Sequence, residues 1–83
     1  MQLAELRKSV GMSQRELAQA AGISYKLIQS YEQGVRDING ARISTLLSLC
    51  IVLKCRLEQL ITDENIISQI KIYMEGNGNE KVH

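Results

Sequence analysis

The amino-acid sequence predicts an all-α protein: a compact domain of five short helices with an extra helix at its C-terminal side. Three observations carry this. Apolar residues recur at helical rather than strand spacing along most of the 83 residues. Glycines and serines punctuate the pattern where helices would start and stop. The chain has no Pro, Trp or Phe, and it is rich in the Leu, Ala and Gln that favour helix. A chain of this length suits one domain.

Leu3, Leu6 and Val10 share one face of a first helix, Met1–Val10, which Gly11 can end in a left-handed conformation. Ser13 and Glu16 form a capping box for a second helix, Gln14–Ala21, which turns Leu17, Ala18 and Ala21 inward and stops at Gly22. Ser24 caps a third helix from Tyr25 to about Gln33. At 100° per residue, Leu27, Ile28 and Tyr31 fall on one arc, and Tyr25, Lys26, Gln29, Ser30 and Gln33 on the other. The apolar place of Tyr31 makes it a core residue rather than a stacking one. Gly34 ends this helix, and Val35 to Asn39 reads as a loop.

A fourth helix, Gly40–Leu53, carries Ile43, Leu46, Leu47, Leu49, Cys50 and Leu53. Its wide apolar face predicts the most buried helix of the chain. A short fifth helix covers Leu57–Ile61. Thr62 or Asp63 then caps a sixth, Glu64–Met74, although Ile70, Ile72 and Met74 also alternate as a strand would. The domain is read as residues 1–61 and the helical extension as 62–75. The Gly- and Asn-rich residues 76–83 read as a disordered tail.

Several function classes are disfavoured. The sequence has no Ser–His–Asp or His–Cys arrangement, no glycine-rich phosphate loop and no carboxylate cluster. An enzyme is not expected, nor a cofactor or a metal. Cys50 and Cys55 lie in one apolar segment without further ligands and read as buried free thiols. His83 receives no role. The start of the chain lacks the apolar run of a signal peptide, and the stretch from Leu46 to Leu53 is too short to span a bilayer. A soluble cytoplasmic protein, with no membrane partner, is expected. The formal net charge of +1, from 10 basic and 9 acidic residues, argues weakly against nucleic acid, since the distribution of charge decides.

The informative unit is Gln14–Gly34, two short helices joined through Gly22, Ile23 and Ser24, with small Ala18 allowing close approach. Such a pair projects one exposed helical face. In order along the chain stand Leu6 and Arg7, S-Q-R-E-L-A at Ser13–Ala18, A-G-I-S at Ala21–Ser24, I-x-x-Y-E-x-G at Ile28–Gly34, L-x-x-L-C-x-x-L at Leu46–Leu53 and L-E-Q-L at Leu57–Leu60. This series strongly resembles the lambda repressor/Cro-like (XRE) helix-turn-helix family over about the first sixty residues.

The resemblance implies five helices, with the second crossing a DNA backbone and the third entering the major groove. It implies base reading by Tyr25, Lys26, Gln29 and Ser30. Gln14 would hydrogen-bond a phosphate, with Arg15, Arg36, Asn39 and Arg42 as further phosphate contacts. Arg7 and Glu32 would form a partly buried salt bridge. Taken without the resemblance, Lys26, Gln29 and Ser30 would read as a solvated helix face. Two departures bear on this. The loop V-R-D-I-N-G-A-R after Gly34 is longer than usual in the family and places Asp37 among its cations. Leu27 stands where Thr or Ser is common.

The implied function is a sequence-specific transcriptional regulator, a repressor of bacterial or phage type. Double-stranded DNA is the partner, and the chain binds it as a homodimer because one copy offers few phosphate contacts. The extension Glu64–Met74 is a dimer interface or a last core helix. With no room read for a ligand domain, no small-molecule ligand is expected. Two other readings stay open: an antitoxin-like DNA-binding protein that also neutralises a protein partner, and a protein-interaction module on the same fold.

Overall fold

The computed structural model describes residues 2–80, the last four as backbone only, so Met1 and residues 81–83 with His83 lie outside it. Among the described residues there are six α-helices and no strand. They are α1 (Gln2–Ser9), α2 (Gln14–Ala21), α3 (Tyr25–Glu32), α4 (Ile43–Leu53), α5 (Leu57–Leu60) and α6 (Glu64–Glu80), with a 3₁₀ turn at Ile38–Gly40. Helix α2 packs on α3 and α4, α1 on α3 and α5, and α5 joins α4 to α6.

The local reasons match the residues. The Ser13 hydroxyl accepts from the Glu16 N–H at 3.0 Å, and the Glu16 carboxylate accepts from the Ser13 N–H at 2.8 Å. Both donors would otherwise be orphaned at the start of α2. Gly22 (φ 70°) ends that helix in the left-handed region, where a Cβ would be strained. Ser24 caps α3 by accepting from the Leu27 N–H at 3.2 Å. Of Thr62 and Asp63, Asp63 caps α6: its Oδ1 accepts from the N–H groups of Asn65 and Ile66 at 2.9 and 3.1 Å.

Leu3, Leu17, Ile28, Ile38, Leu49 and Leu60 are fully buried, joined by Ala18, Tyr31, Leu46, Cys50, Leu53 and Ile61. Each of the first five helices contributes to this one core. Burial of an Ile or Leu side chain stabilises by about 1.5–3 kcal/mol against leaving it exposed. Tyr31 is in the core as its arc required.

Five expectations need correction. Val10 lies beyond the end of α1 and is 40% exposed, because the chain turns away at Gly11. The loop after Gly34 is not open throughout: Ile38 sits in the 3₁₀ turn and is 2% exposed. That turn consumes Gly40, so α4 starts at Ile43 rather than Gly40. Helix α4 has more buried residues than any other helix, as expected, but its wide apolar face is covered on one arc only. Ile43, Leu47 and Ile51 stand one turn apart on a side away from the buried arc, and they are 61%, 47% and 76% exposed. Finally, α6 continues through residues 76–80, so the expected tail is helical over that stretch. Gly76 does not adopt the positive φ that ends α2, so the helical backbone runs on.

Candidate nucleic-acid interface

The side chain that organises the helix pair is Arg7. It is 9% exposed, and its guanidinium makes three hydrogen bonds. Nε donates to Glu32 Oε2 at 2.7 Å, Nη2 to Glu32 Oε1 at 3.0 Å, and Nη1 to the Met12 carbonyl at 2.8 Å. The fork ties α1 to the end of α3 and to the turn before α2. Gln14 Nε2 donates to the same Glu32 Oε1 at 2.9 Å, so the start of α2 is fastened to that carboxylate as well. Burial pushes the Glu32 carboxyl up. The hydrogen bonds from Arg7 and Gln14 and the positive charges of Arg7 and Lys8 outweigh it and hold the group below the ordinary carboxylate range. Arg7 is raised by its hydrogen bond to Glu32 against the effect of burial.

Gln14 keeps one amide hydrogen free of Glu32, because a side-chain amide nitrogen carries two donors. That hydrogen, beside the start of α2, suits a phosphate oxygen. The Arg15 guanidinium lies 4.2 Å from the centroid of the Tyr25 ring, which joins α2 to the first turn of α3. The Tyr25 hydroxyl in turn accepts from Gln29 Nε2 at 3.0 Å. Tyr25 is therefore half-buried between two neighbours, and its hydroxyl steers Gln29.

Lys26, Ser30, Arg36 and Arg42 converge. They line one cleft of about 560 Å³ between α3 and the start of α4, together with Ser24, Leu27, Tyr31, Gly40, Ala41 and Thr45. The loop reaches it because the Ser30 carbonyl accepts from the N–H groups of both Val35 and Arg36, at 2.9 and 3.1 Å. The lining holds three cations and no acid. A near-zero formal charge thus coexists with a wholly basic cleft. Asp37 does not line it; its carboxylate accepts from the N–H and the side-chain amide of Asn39, at 3.0 and 2.8 Å.

Asn39 departs from its expected place. Its Nδ2 donates to Asp37 and to the Thr62 hydroxyl, and its Oδ1 accepts from the N–H groups of Thr62 and Asp63 at 2.9 and 3.0 Å. The side chain is consumed in tying the 3₁₀ turn to the junction of α5 and α6, which leaves no donor for a phosphate.

The cleft also contains Ser24, which sequence reasoning placed only as a cap, and Thr45, which it passed over. Thr45 lies in the first turn of α4 and became visible only once the helix start moved from Gly40. Arg42, at the N-cap of α4, makes no side-chain cap hydrogen bond, so the first N–H groups of α4 have no side-chain acceptor beside this cleft. Donors of this kind suit a phosphate oxygen.

Elsewhere the chemistry is quiet. Cys50 and Cys55 are free; burial pushes the Cys50 thiol up to about 12 and raises Cys55 as well. Among the described residues no three His, Cys, Asp or Glu side chains are grouped to hold a metal ion, and no helix is long and apolar enough to cross a membrane.

The family model HTH_3, described as helix-turn-helix, matches residues 3–60. No curated protein and no solved structure matches the chain significantly. The matched span covers α1 to α5 and includes the Arg7–Glu32 fork, the α2–α3 pair and the basic cleft. The chain belongs to the XRE, lambda repressor/Cro-like helix-turn-helix family of DNA-binding regulators.

Proposed function

We propose that this protein is a sequence-specific transcriptional repressor that lays α3 in the major groove of double-stranded DNA. The observation that carries this reading is the basic cleft beside α3, in which Lys26, Arg36 and Arg42 meet with no acid among them. Lys26 donates to guanine O6 or N7, Gln29 pairs with adenine, and Ser30 reads a neighbouring edge. Tyr25 contributes through Gln29: its hydroxyl holds one amide hydrogen and leaves the other, with the amide oxygen, for the base. Gln14, Arg15, Arg36 and Arg42 contact phosphates; Asn39 is removed from that set by its own hydrogen bonds.

Residues 1–61 form the DNA-binding unit in this reading, and 62–75 the extension that supports pairing. Two copies place two α3 helices about 34 Å apart, on half-sites one helical turn apart. The number of cations per chain is too small for tight binding by a single copy, since each phosphate contact contributes separately to affinity. The protein works in the cytoplasm on bacterial or phage DNA.

Selection of bound duplexes from a random library tests this. A defined pair of half-sites is expected. Lys26→Ala and Gln29→Ala each alter the preferred bases, by about 1–3 kcal/mol, whereas Gln14→Ala weakens all sequences alike. No enrichment, or three variants that keep the original preference and strength, would overturn the assignment.

A further inference from the structure

Leu27 has no use in the DNA-binding reading so far. Spacing puts it on the inward arc of α3 with Ile28 and Tyr31, yet only those two are buried, at 0% and 5% exposed. Leu27 is half-buried: it packs on the core and also lines the basic cleft with Lys26 and Ser30. Ala41, in the turn before α4, is likewise half-buried against the core and lines the same cleft. A residue that only filled the core would be covered as Ile28 is. The cleft therefore sets apolar side chains among its three cations and the hydroxyls of Ser24, Ser30 and Thr45.

The chemistry of a duplex says what such a side chain can meet. Leucine has no hydrogen-bonding atom, so it offers nothing to a phosphate oxygen or to a donor on a base edge. The major groove presents one apolar group, the C5 methyl of thymine, which 5-methylcytosine shares in modified DNA. The placement agrees. Leu27 follows Lys26 in the chain, and Ser30 stands one helical turn on, so the leucine shares a wall of the cleft with two base-reading residues. Packing on the core also restricts the side chain before DNA arrives, which lowers the entropy cost of the contact.

We propose that Leu27, with Ala41 in the same cleft, receives the C5 methyl group of a pyrimidine and so makes the protein select thymine at or next to the base pair read by Lys26. The inference rests on the reading that α3 lies in the major groove. The Thr or Ser common at this position brings a hydroxyl; the leucine exchanges it for apolar contact, so the departure from the family pattern changes what is read.

The duplex that the full chain selects from a random library is the probe. Uracil replaces each thymine of its half-site in turn, which removes the methyl and nothing else. One such uracil, at or next to the base pair whose preference Lys26→Ala alters, is expected to weaken wild-type binding about fourfold, the worth of one methyl group withdrawn from water. Cytosine at that position weakens it further, and 5-methylcytosine regains about the same factor, so these arms separate the methyl from the rest of the base pair. Leu27→Ala is expected to bind the thymine and uracil duplexes alike. Leu27→Met, apolar and similar in volume, keeps most of the difference. Each comparison is a ratio of two affinities measured on one protein sample, so partial unfolding of a variant lowers both and leaves the ratio unchanged. A half-site without thymine, a wild type indifferent to uracil at every position, or a Leu27→Ala variant with the wild-type ratio overturns the proposal and leaves the DNA reading standing. A chain that selects no duplex overturns both.

Discussion

Removing the carboxylate at Glu32 is expected to unfasten the helix pair. In the Glu32→Gln variant the Arg7 guanidinium keeps its position, with side chains only 11% and 6% exposed at the two ends of the pair, but faces a neutral amide. Two charge-assisted bonds, at 2.7 and 3.0 Å, are lost or weakened, and Gln14 and Arg7 are left to share the single amide oxygen that remains. Stranding a buried charge costs about 3–5 kcal/mol, and the lower end applies because Arg7 keeps its bond to Met12. A domain of this size has a total stability of about 4–12 kcal/mol at ordinary values per residue, so the loss is a large share of it. At about 4–8 °C per kcal/mol, a loss of about 3 kcal/mol lowers Tm by about 12–24 °C. Thermal melts followed by circular dichroism measure this.

The double replacement Arg7→Met with Glu32→Leu is expected to cost clearly less than the sum of the two single changes, because it leaves no charge behind. The pH dependence provides an independent check. Glu32 has a folded-state pKa below its unfolded value, so its contribution is fully present above about pH 4.5 and is lost as pH falls through the folded value. The gap in Tm between wild type and Glu32→Gln should therefore be widest at neutral pH and close on acidification. Single variants that each shift Tm by no more than a few degrees, an additive double, or a gap independent of pH would refute the reasoning. The pair would then be a solvated surface contact worth about 0–1 kcal/mol.

Other substitutions probe separate links. Tyr25→Phe removes only the hydroxyl that accepts from Gln29; duplex selection should show weakened preference at the adenine position, by about 1 kcal/mol, with overall retention on DNA nearly unchanged. Asn39→Ala breaks the tie between the 3₁₀ turn and the α5–α6 junction, and a chemical melt should register a loss of about 1–2 kcal/mol with little effect on DNA affinity at saturating fold. Lys54→Gly relieves the one non-glycine residue at positive φ among the described residues, at the C-cap of α4, and should raise stability by about 1 kcal/mol in the same assay.

Much of the fold was legible because its causes are local. The Ser13–Glu16 box and the Gly22 stop bound α2 at Gln14 and Ala21 in sequence and structure alike. Spacing alone sent Ile28 and Tyr31 to the core. The series of short motifs from Leu6 to Leu60 pointed to the family that residues 3–60 match. The candidate site was legible in part: Lys26, Ser30, Arg36 and Arg42 were each named and do share a cleft, whereas Asn39 was assigned by its type and neighbours alone.

What the sequence by itself determined is thus the order of the helices and the caps and inward arcs of α2 and α3, because hydrogen bonds and side-chain periodicity act over three or four residues. Tertiary structure decided which of several eligible partners each side chain meets. Asn39 could have faced a phosphate, but residues 23 and 24 positions further on present donors and an acceptor that occupy it. Ile38 reads as loop until the 3₁₀ turn folds it into the core. Ile43, Leu47 and Ile51 look as apolar as Leu46 and Leu49, yet only the packing of α2 and α5 against one side of α4 decides which row is covered. The balance of 10 bases and 9 acids says little about DNA, because burial of Glu32 and the use of Asp37 within the chain leave the cleft beside α3 basic. Each of these outcomes depends on contacts between residues far apart in the chain, where local patterning carries no information.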